Sequence, residues 1–156
     1  MNSTARAVAD VNAGTIVATI EIAVSPERVF RALTSEELPK WWGAPEVYRT
    51  TKWTGDLRVG GAWRTDGAGA DGSSFHVEGE FVEIDRPRRL VQTWRPSWDP
   101  GSNTMFSYDL EAIEGGTRVT VRHIGFAGRA ESCQGHAMGW ERVLTWLTNY
   151  LEGSAA

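Results

Sequence analysis

Apolar residues keep a helical period for more than five turns in one part of the chain, residues 132–153. They recur at spacings of three or four residues, in the stripe Ala137, Trp140, Leu144, Leu147 and Leu151. Ser132 is a candidate N-cap and Gly153 a candidate C′ residue, so the pattern predicts a helix about 30 Å long at 1.5 Å per residue. Because the apolar face runs along the whole helix, that face has to pack against another part of the chain.

Upstream of this helix, the pattern is typical of strands separated by turn residues. Residues 15–24 are rich in β-branched side chains and predict a first strand, which ends where Ser25 and Pro26 start a helix. A second short helix is predicted from Ser35, and it ends before Gly43. The alternating segments that follow are joined by short turns, so we expect them to pair in antiparallel order.

Together these elements predict an α+β protein with a helix-grip fold. In this fold a curved antiparallel sheet of about six to seven strands surrounds the long C-terminal helix, and two short helices follow the first strand. Residues 66–72 are predicted as a hairpin tip, and a slip in the alternation at Gly79 predicts a β-bulge. Residues 1–14 are small and polar and are predicted as a disordered N-terminal arm, which leaves residues 15–153 as a single domain.

Tryptophan is the unusual feature of the composition, with eight residues among 156. Most of these side chains have to be buried or half-buried, and they suit either a dense core or the walls of a site for an apolar ligand. A curved sheet and a single helix rarely fill the space between them, so a central cavity is expected. Gly135 and Gly139 of the long helix leave two alternatives: a sheet aromatic packs against their bare backbone, or they make room for a ligand.

Charge, cysteine content and hydropathy exclude several classes of partner. A net charge of −4 argues against nucleic acid, and no stretch approaches the roughly 18 apolar residues of a membrane span. The first residues do not resemble a signal peptide, and the single cysteine, Cys133, fits a reducing compartment. Three histidines and one cysteine match no zinc-binding spacing. We therefore expect a cytoplasmic protein without a metal or another cofactor.

The sequence contains no common catalytic motif, neither a Gly-x-Ser-x-Gly elbow nor His-Glu-x-x-His. His123 shares a strand face with apolar residues and His136 flanks the apolar stripe of the long helix, so both are candidates for the interior. Each is either a hydrogen-bonded structural histidine or a functional group, and His123 is the candidate base of an enzyme. Glu78 and Glu80 are expected on the solvent side of the sheet.

Several short segments resemble one superfamily. They are residues 39–43 (PKWWG), 56–61 (DLRVGG), 79–84 (GEFVEI), 89–94 (RLVQTW), 116–121 (GTRVTV), and Gly139-Trp140 followed by Leu144 and Leu147. Over residues 15–151 the chain resembles the START-like (polyketide cyclase and lipid transport) superfamily. Within it, the chain resembles the family related to the carboxy-terminal domain of the activator of heat-shock-protein-90 ATPase. The resemblance implies the helix-grip fold, and the superfamily includes lipid carriers and polyketide cyclases.

Three hypotheses for function follow. The leading one is binding of a small hydrophobic or aromatic molecule without catalysis. The others are a cyclase or aromatase, and an interaction module of the stress response in which Trp41 and Trp42 dock onto a chaperone or onto an identical subunit, forming a homodimer. The predicted ligand-binding residues are Trp41, Trp42, Trp63, Trp94, Phe106, Tyr108, His123, His136, Gly139 and Trp140.

Overall fold

The computed structural model describes residues 4–153. It contains three α-helices, α1 (Pro26–Leu33), α2 (Leu38–Trp41) and α3 (Ala130–Leu151), within that range. The strands of the same range are β1 (Arg6–Asp10), β2 (Thr15–Ile22), β3 (Gly43–Ala44), β4 (Tyr48–Gly55), β5 (Ala62–Gly69), β6 (Ser74–Asp85), β7 (Arg89–Pro96), β8 (Thr104–Ile113) and β9 (Gly116–Ile124). They form one antiparallel sheet in the order β1-β2-β9-β8-β7-β6-β5-β4-β3. The predicted helix-grip fold is confirmed.

The described sheet has nine strands, so the prediction of six to seven was too low. One added strand, β1, lies in the segment that was predicted as a disordered arm, and that prediction is wrong for Arg6–Asp10. These residues pair with β2 through a tight turn that Gly14 closes at φ +72°, and the Ala7 N–H donates to the Glu141 carboxylate of α3 at 2.9 Å. Residues 1–3 of the predicted arm lie outside the described residues.

Helix α1 begins where its cap residues predicted, whereas α2 begins at Leu38, three residues after the predicted start at Ser35. The Ser25 hydroxyl accepts a hydrogen bond from the Arg28 N–H at 3.2 Å, and Pro26 occupies the first turn of α1. Helix α3 begins at Ala130, two residues before the predicted N-cap at Ser132. It ends as predicted, with Gly153 in the left-handed conformation at φ +67°.

Two predicted irregularities of the sheet differ in the structure: the β-bulge lies at another position, and the hairpin tip is shorter. The pairing of β5 with β6 is regular through Gly79, and the register shift falls two residues later, between Phe81 and Glu83. Gly79 has a different role, since a Cβ there would lie 2.1 Å from the Thr93 carbonyl oxygen, so β6 and β7 approach too closely for a side chain. The glycine-rich hairpin tip is also shorter than predicted, because β5 continues to Gly69.

Helix α3 crosses one side of the sheet, where it packs on β1 and β2. Its predicted stripe is buried there and in the adjoining core, including Ala137, Trp140, Leu144 and Leu147. The sheet curves away from the first half of the helix, and the space between them holds the cavity described below. Within residues 4–153, no helix is both long and apolar enough to cross a lipid bilayer.

A charged cluster connects both short helices to the end of α3. Glu37 accepts hydrogen bonds from Arg28 at 2.7 and 3.1 Å, from Arg31 at 3.1 Å and from the Tyr150 hydroxyl at 2.7 Å. Burial by itself would raise the pKa of Glu37, but these donors outweigh it and lower that pKa to about 2. The cluster therefore holds α1 and α2, which contribute Leu33 and Leu38 to the cavity lining, against α3.

Candidate functional site

A cavity of about 860 Å³ lies between the curved sheet and the first half of α3. Its lining surface is mainly apolar, and ten aromatic residues contribute to it: Trp42, Tyr48, Trp53, Trp63, Phe75, Trp94, Trp98, Phe106, Tyr108 and Trp140. The buried rings form its inner end. Ser73, Ser74, Glu131 and Arg142 are exposed and line the outer end. A site of this size and composition is typical of pockets for small apolar molecules.

Trp94 of β7 lies at the centre of the aromatic wall. Its ring centroid is 5.6 Å from that of Phe106, 6.1 Å from that of Trp63 and 6.5 Å from that of Trp42. Trp63 is fixed by a hydrogen bond from its indole N–H to the Thr93 carbonyl at 3.1 Å. Because most of these rings meet edge to face or tilted, each holds its neighbours in place and the wall is largely formed in advance.

Both helix glycines border open space, Gly139 at a half-buried position and Gly135 at an exposed one. A Cβ built on Gly135 or on Gly139 meets no heavy atom within 4 Å outside the backbone of the helix itself, and both residues line the cavity. No sheet aromatic packs against their bare backbone. The sequence left two alternatives open, and the structure agrees with the one in which these glycines leave space beside the helix.

His123 lies behind the cavity wall rather than in it. It is fully buried, and its Nδ1 accepts a hydrogen bond from the Trp140 indole N–H at 3.0 Å. Since an indole N–H can only donate, the ring hydrogen is on Nε2, which lies 2.7 Å from the Thr104 hydroxyl. Burial lowers the pKa of His123 well below its ordinary value. Both nitrogens are thus engaged, so His123 holds Trp140 in place and has no lone pair free to act as the predicted base.

His136 does line the cavity, on the first half of α3. Its Nδ1 lies 2.8 Å from the carbonyl oxygen of Ser132 in the preceding turn. A carbonyl can only accept, so Nδ1 carries the hydrogen and Nε2 presents a lone pair. Burial lowers the pKa of His136, which favours this neutral form at pH 7.

The two adjacent tryptophans after α2 have different environments. Trp41 is only 4% exposed, donates its indole N–H to the Ala32 carbonyl at 3.1 Å, and belongs to the core rather than to the cavity lining. Trp42 lines the cavity and donates to the Tyr48 hydroxyl at 3.1 Å. The pair therefore forms no exposed aromatic surface of the kind that a docking module needs.

Eight of the ten predicted ligand-binding residues line the cavity, all except Trp41 and His123. Several lining residues were missed. Trp53 and Trp98 were visible in the tryptophan content, and Phe75 in the alternation of β6. The polar residues Thr50, Thr65 and Gln92 gave no signal, because a single polar residue in a strand looks the same whether it faces a cavity or water.

The outer end of the cavity is shaped by the loop between β7 and β8. Trp98 in this loop is 55% exposed, and its ring centroid lies 5.7 Å from that of Phe75. An ion pair between Asp99 and Arg129 ties the loop to the start of α3. Among the described residues, no group of three or more His, Cys, Asp or Glu side chains is placed to hold a metal ion.

Solved structures similar to this chain extend over nearly its whole length. A protein from Nitrosomonas europaea is 26% identical, with a TM-score of 0.76 over 90% of this chain and 95% of that one. A protein from Rhodobacter sphaeroides is 23% identical, with a TM-score of 0.84 over 97% and 99%. An AHSA1-like protein from Aeromonas hydrophila is 23% identical, with a TM-score of 0.73 over 89% and 94%.

No curated protein sequence is significantly similar to the chain. A family model does match, that of the Activator of Hsp90 ATPase homolog 1-like proteins, over residues 23–152. The match covers α1, α2, all strands from β3 to β9 and α3, so it includes every element that lines the cavity. The chain therefore belongs to the family of Activator of Hsp90 ATPase homolog 1-like proteins.

Proposed function

We propose that the protein binds a small apolar or aromatic molecule in the cavity between the sheet and α3. The observation that carries this proposal is the open space beside Gly135 and Gly139, which faces a wall of buried aromatic rings. A side chain at either glycine would fill part of this space, and glycine costs a helix about 1 kcal/mol relative to alanine. Leaving the space open therefore reduces helix stability, and a bound ligand accounts for that cost.

The surface of the lining is mainly apolar, although several polar side chains contribute to it. Gln92 and Tyr108 are both buried, and burial raises the pKa of the Tyr108 hydroxyl, which is therefore neutral at pH 7. Charged lining residues such as Glu131 and Arg142 are exposed and lie at the outer end. This distribution favours a ligand with an apolar body of one or more rings and few polar groups.

The two other functions implied by the family resemblance have less support. The enzyme hypothesis, a cyclase or aromatase, was motivated by His123 as its base, and His123 is enclosed behind the cavity wall with both ring nitrogens engaged. A module that docks onto a chaperone or a second copy of the chain was motivated by Trp41 and Trp42, and these lie in the core and in the cavity wall.

The proposal is tested by following the tryptophan indole N–H signals in a ¹H–¹⁵N spectrum while 2-naphthol is added. Binding in the cavity shifts the signals of Trp63, Trp94 and Trp140, which line it. Trp41 and Trp146 lie outside the lining and serve as internal controls. No shift at any indole, or shifts confined to the two controls, contradicts the proposal.

A further inference from the structure

Two buried polar atoms in the cavity wall have no hydrogen-bond partner within residues 4–153. They are the indole nitrogen of Trp94 and Nε2 of His136. The Trp94 side chain is only 9% exposed, so water does not readily replace the missing partner. Native structures pair the large majority of such groups, and an unpaired one calls for a physical explanation.

The two atoms have complementary chemistry. The Trp94 indole N–H can only donate a hydrogen bond. The His136 Nε2 can only accept one, because its Nδ1 carries the hydrogen that points to the Ser132 carbonyl at 2.8 Å. The two rings are neighbours, with centroids 6.1 Å apart and planes at 81°. One donor and one acceptor thus lie on neighbouring rings, and both residues line the cavity.

We propose that the cavity selects an aromatic molecule that carries a hydroxyl group. The Trp94 N–H donates to the hydroxyl oxygen, and the hydroxyl hydrogen is donated to His136 Nε2. This inference rests on the proposed function and adds the class of ligand. A hydroxyl is the smallest neutral group in which one oxygen both accepts and donates.

Other oxygen-containing groups satisfy only half of the pair. An ether accepts from Trp94 but leaves the His136 lone pair unpaired, and a hydrocarbon leaves both atoms unpaired. A carboxylate also lacks the hydrogen that His136 needs, and it brings a charge into an apolar site. Both nitrogens are buried in this structure, so the proposed binding mode requires one of the two rings to rotate when the hydroxyl binds. The Trp94 indole N–H signal reports that rotation.

The test compares four naphthalenes by isothermal titration calorimetry at pH 7: 2-naphthol, 2-methoxynaphthalene, naphthalene and 2-naphthoate. The expected result is that 2-naphthol binds about tenfold more tightly than 2-methoxynaphthalene, the effect of one buried hydrogen bond. Both naphthalene and 2-naphthoate are expected to bind more weakly than 2-naphthol. In the ¹H–¹⁵N spectrum, 2-naphthol moves the Trp94 indole N–H signal downfield and naphthalene does not.

Two variants distinguish the contribution of the hydrogen bonds to ligand affinity from the contribution of the shape of the site. In His136→Phe a ring remains but the acceptor is lost. The ratio of the affinity for 2-naphthol to that for 2-methoxynaphthalene therefore falls to nearly one. The same change at His76, which lies outside the cavity lining, leaves the preference intact. Circular dichroism checks that each variant folds, and the Trp94 signal in the wild-type protein tests the inference without any variant.

The possible failures are distinguishable. Equal affinity for 2-naphthol, 2-methoxynaphthalene and naphthalene overturns the hydroxyl inference but leaves the proposed binding function in place. Tightest binding of 2-naphthoate also overturns it, since the site would then favour a charge. Failure of all four compounds to bind, with no shift of the lining indoles, overturns both proposals.

Discussion

Replacing Gly139 by leucine tests whether the space beside α3 is a binding site. A Cβ at this position meets nothing within 4 Å, so the leucine side chain extends into the cavity without displacing its neighbours. Leucine is the better helix former by somewhat under 1 kcal/mol. At roughly 2 to 4 °C per kcal/mol for a domain of this size, Tm should rise by about 2 °C. Binding of 2-naphthol should weaken at least about tenfold, because the side chain occupies the ligand's space.

Differential scanning calorimetry and titration calorimetry measure the two effects on the same sample. Met138→Leu is the matched control, since Met138 is the adjacent residue of α3, is 65% exposed and does not line the cavity. It should change neither Tm nor affinity appreciably. If the region around Gly139 were closely packed, the leucine would cost about 1 to 3 kcal/mol and lower Tm by roughly 2 to 12 °C. A fall of that size would refute the open cavity at this position.

Three further outcomes follow from the structure. Burial lowers the pKa values of His123 and His136, so below pH 6.5 the unfolded state binds more protons than the folded state does. The free energy of unfolding should therefore fall as the pH drops below 6.5, by up to about 2.7 kcal/mol per pH unit in urea titrations. His136→Phe should reduce that slope. The Glu37 pKa is lowered to about 2, so this carboxylate stabilises the protein above pH 4.5 and loses its effect as the pH falls towards 2. Glu37→Gln should cost about 1 to 2 kcal/mol at pH 7, and a cost below measurement error would contradict the role of its cluster. Trp98→Ala should leave Tm within about 2 °C, because the side chain is 55% exposed, but weaken 2-naphthol binding several-fold; unchanged affinity would exclude Trp98 from the site.

The sequence determined the elements whose signals are local. The apolar stripe of α3, the Ser25-Pro26 start of α1 and the alternating strands each follow from side chains a few residues apart. The sequence did not predict strand β1, because its small residues show little hydrophobic alternation. It forms because β2 supplies hydrogen-bond partners and Glu141 of α3 caps the Ala7 N–H.

The sequence predicted a cavity of this kind but not all of its lining residues. The tryptophan content suited either a dense core or the walls of a ligand site, and the two glycines in the helix left close packing and open space as alternatives. Which aromatic faces the pocket depends on how the chain turns after α2, and there Trp41 enters the core while Trp42 lines the cavity. The local hydrophobic pattern does not predict how the chain turns there.

The two interior histidines show most clearly what the sequence predicts and what only the tertiary structure decides. Both were candidates for the interior, and nothing in the sequence distinguished their roles. His123 is engaged by Thr104 and Trp140, which lie 19 and 17 residues away, whereas His136 is engaged only through Nδ1, by a carbonyl of its own helix. A side chain's hydrogen-bonding capacity is set by its residue type, but whether that capacity is used up depends on neighbours that only the tertiary structure brings together.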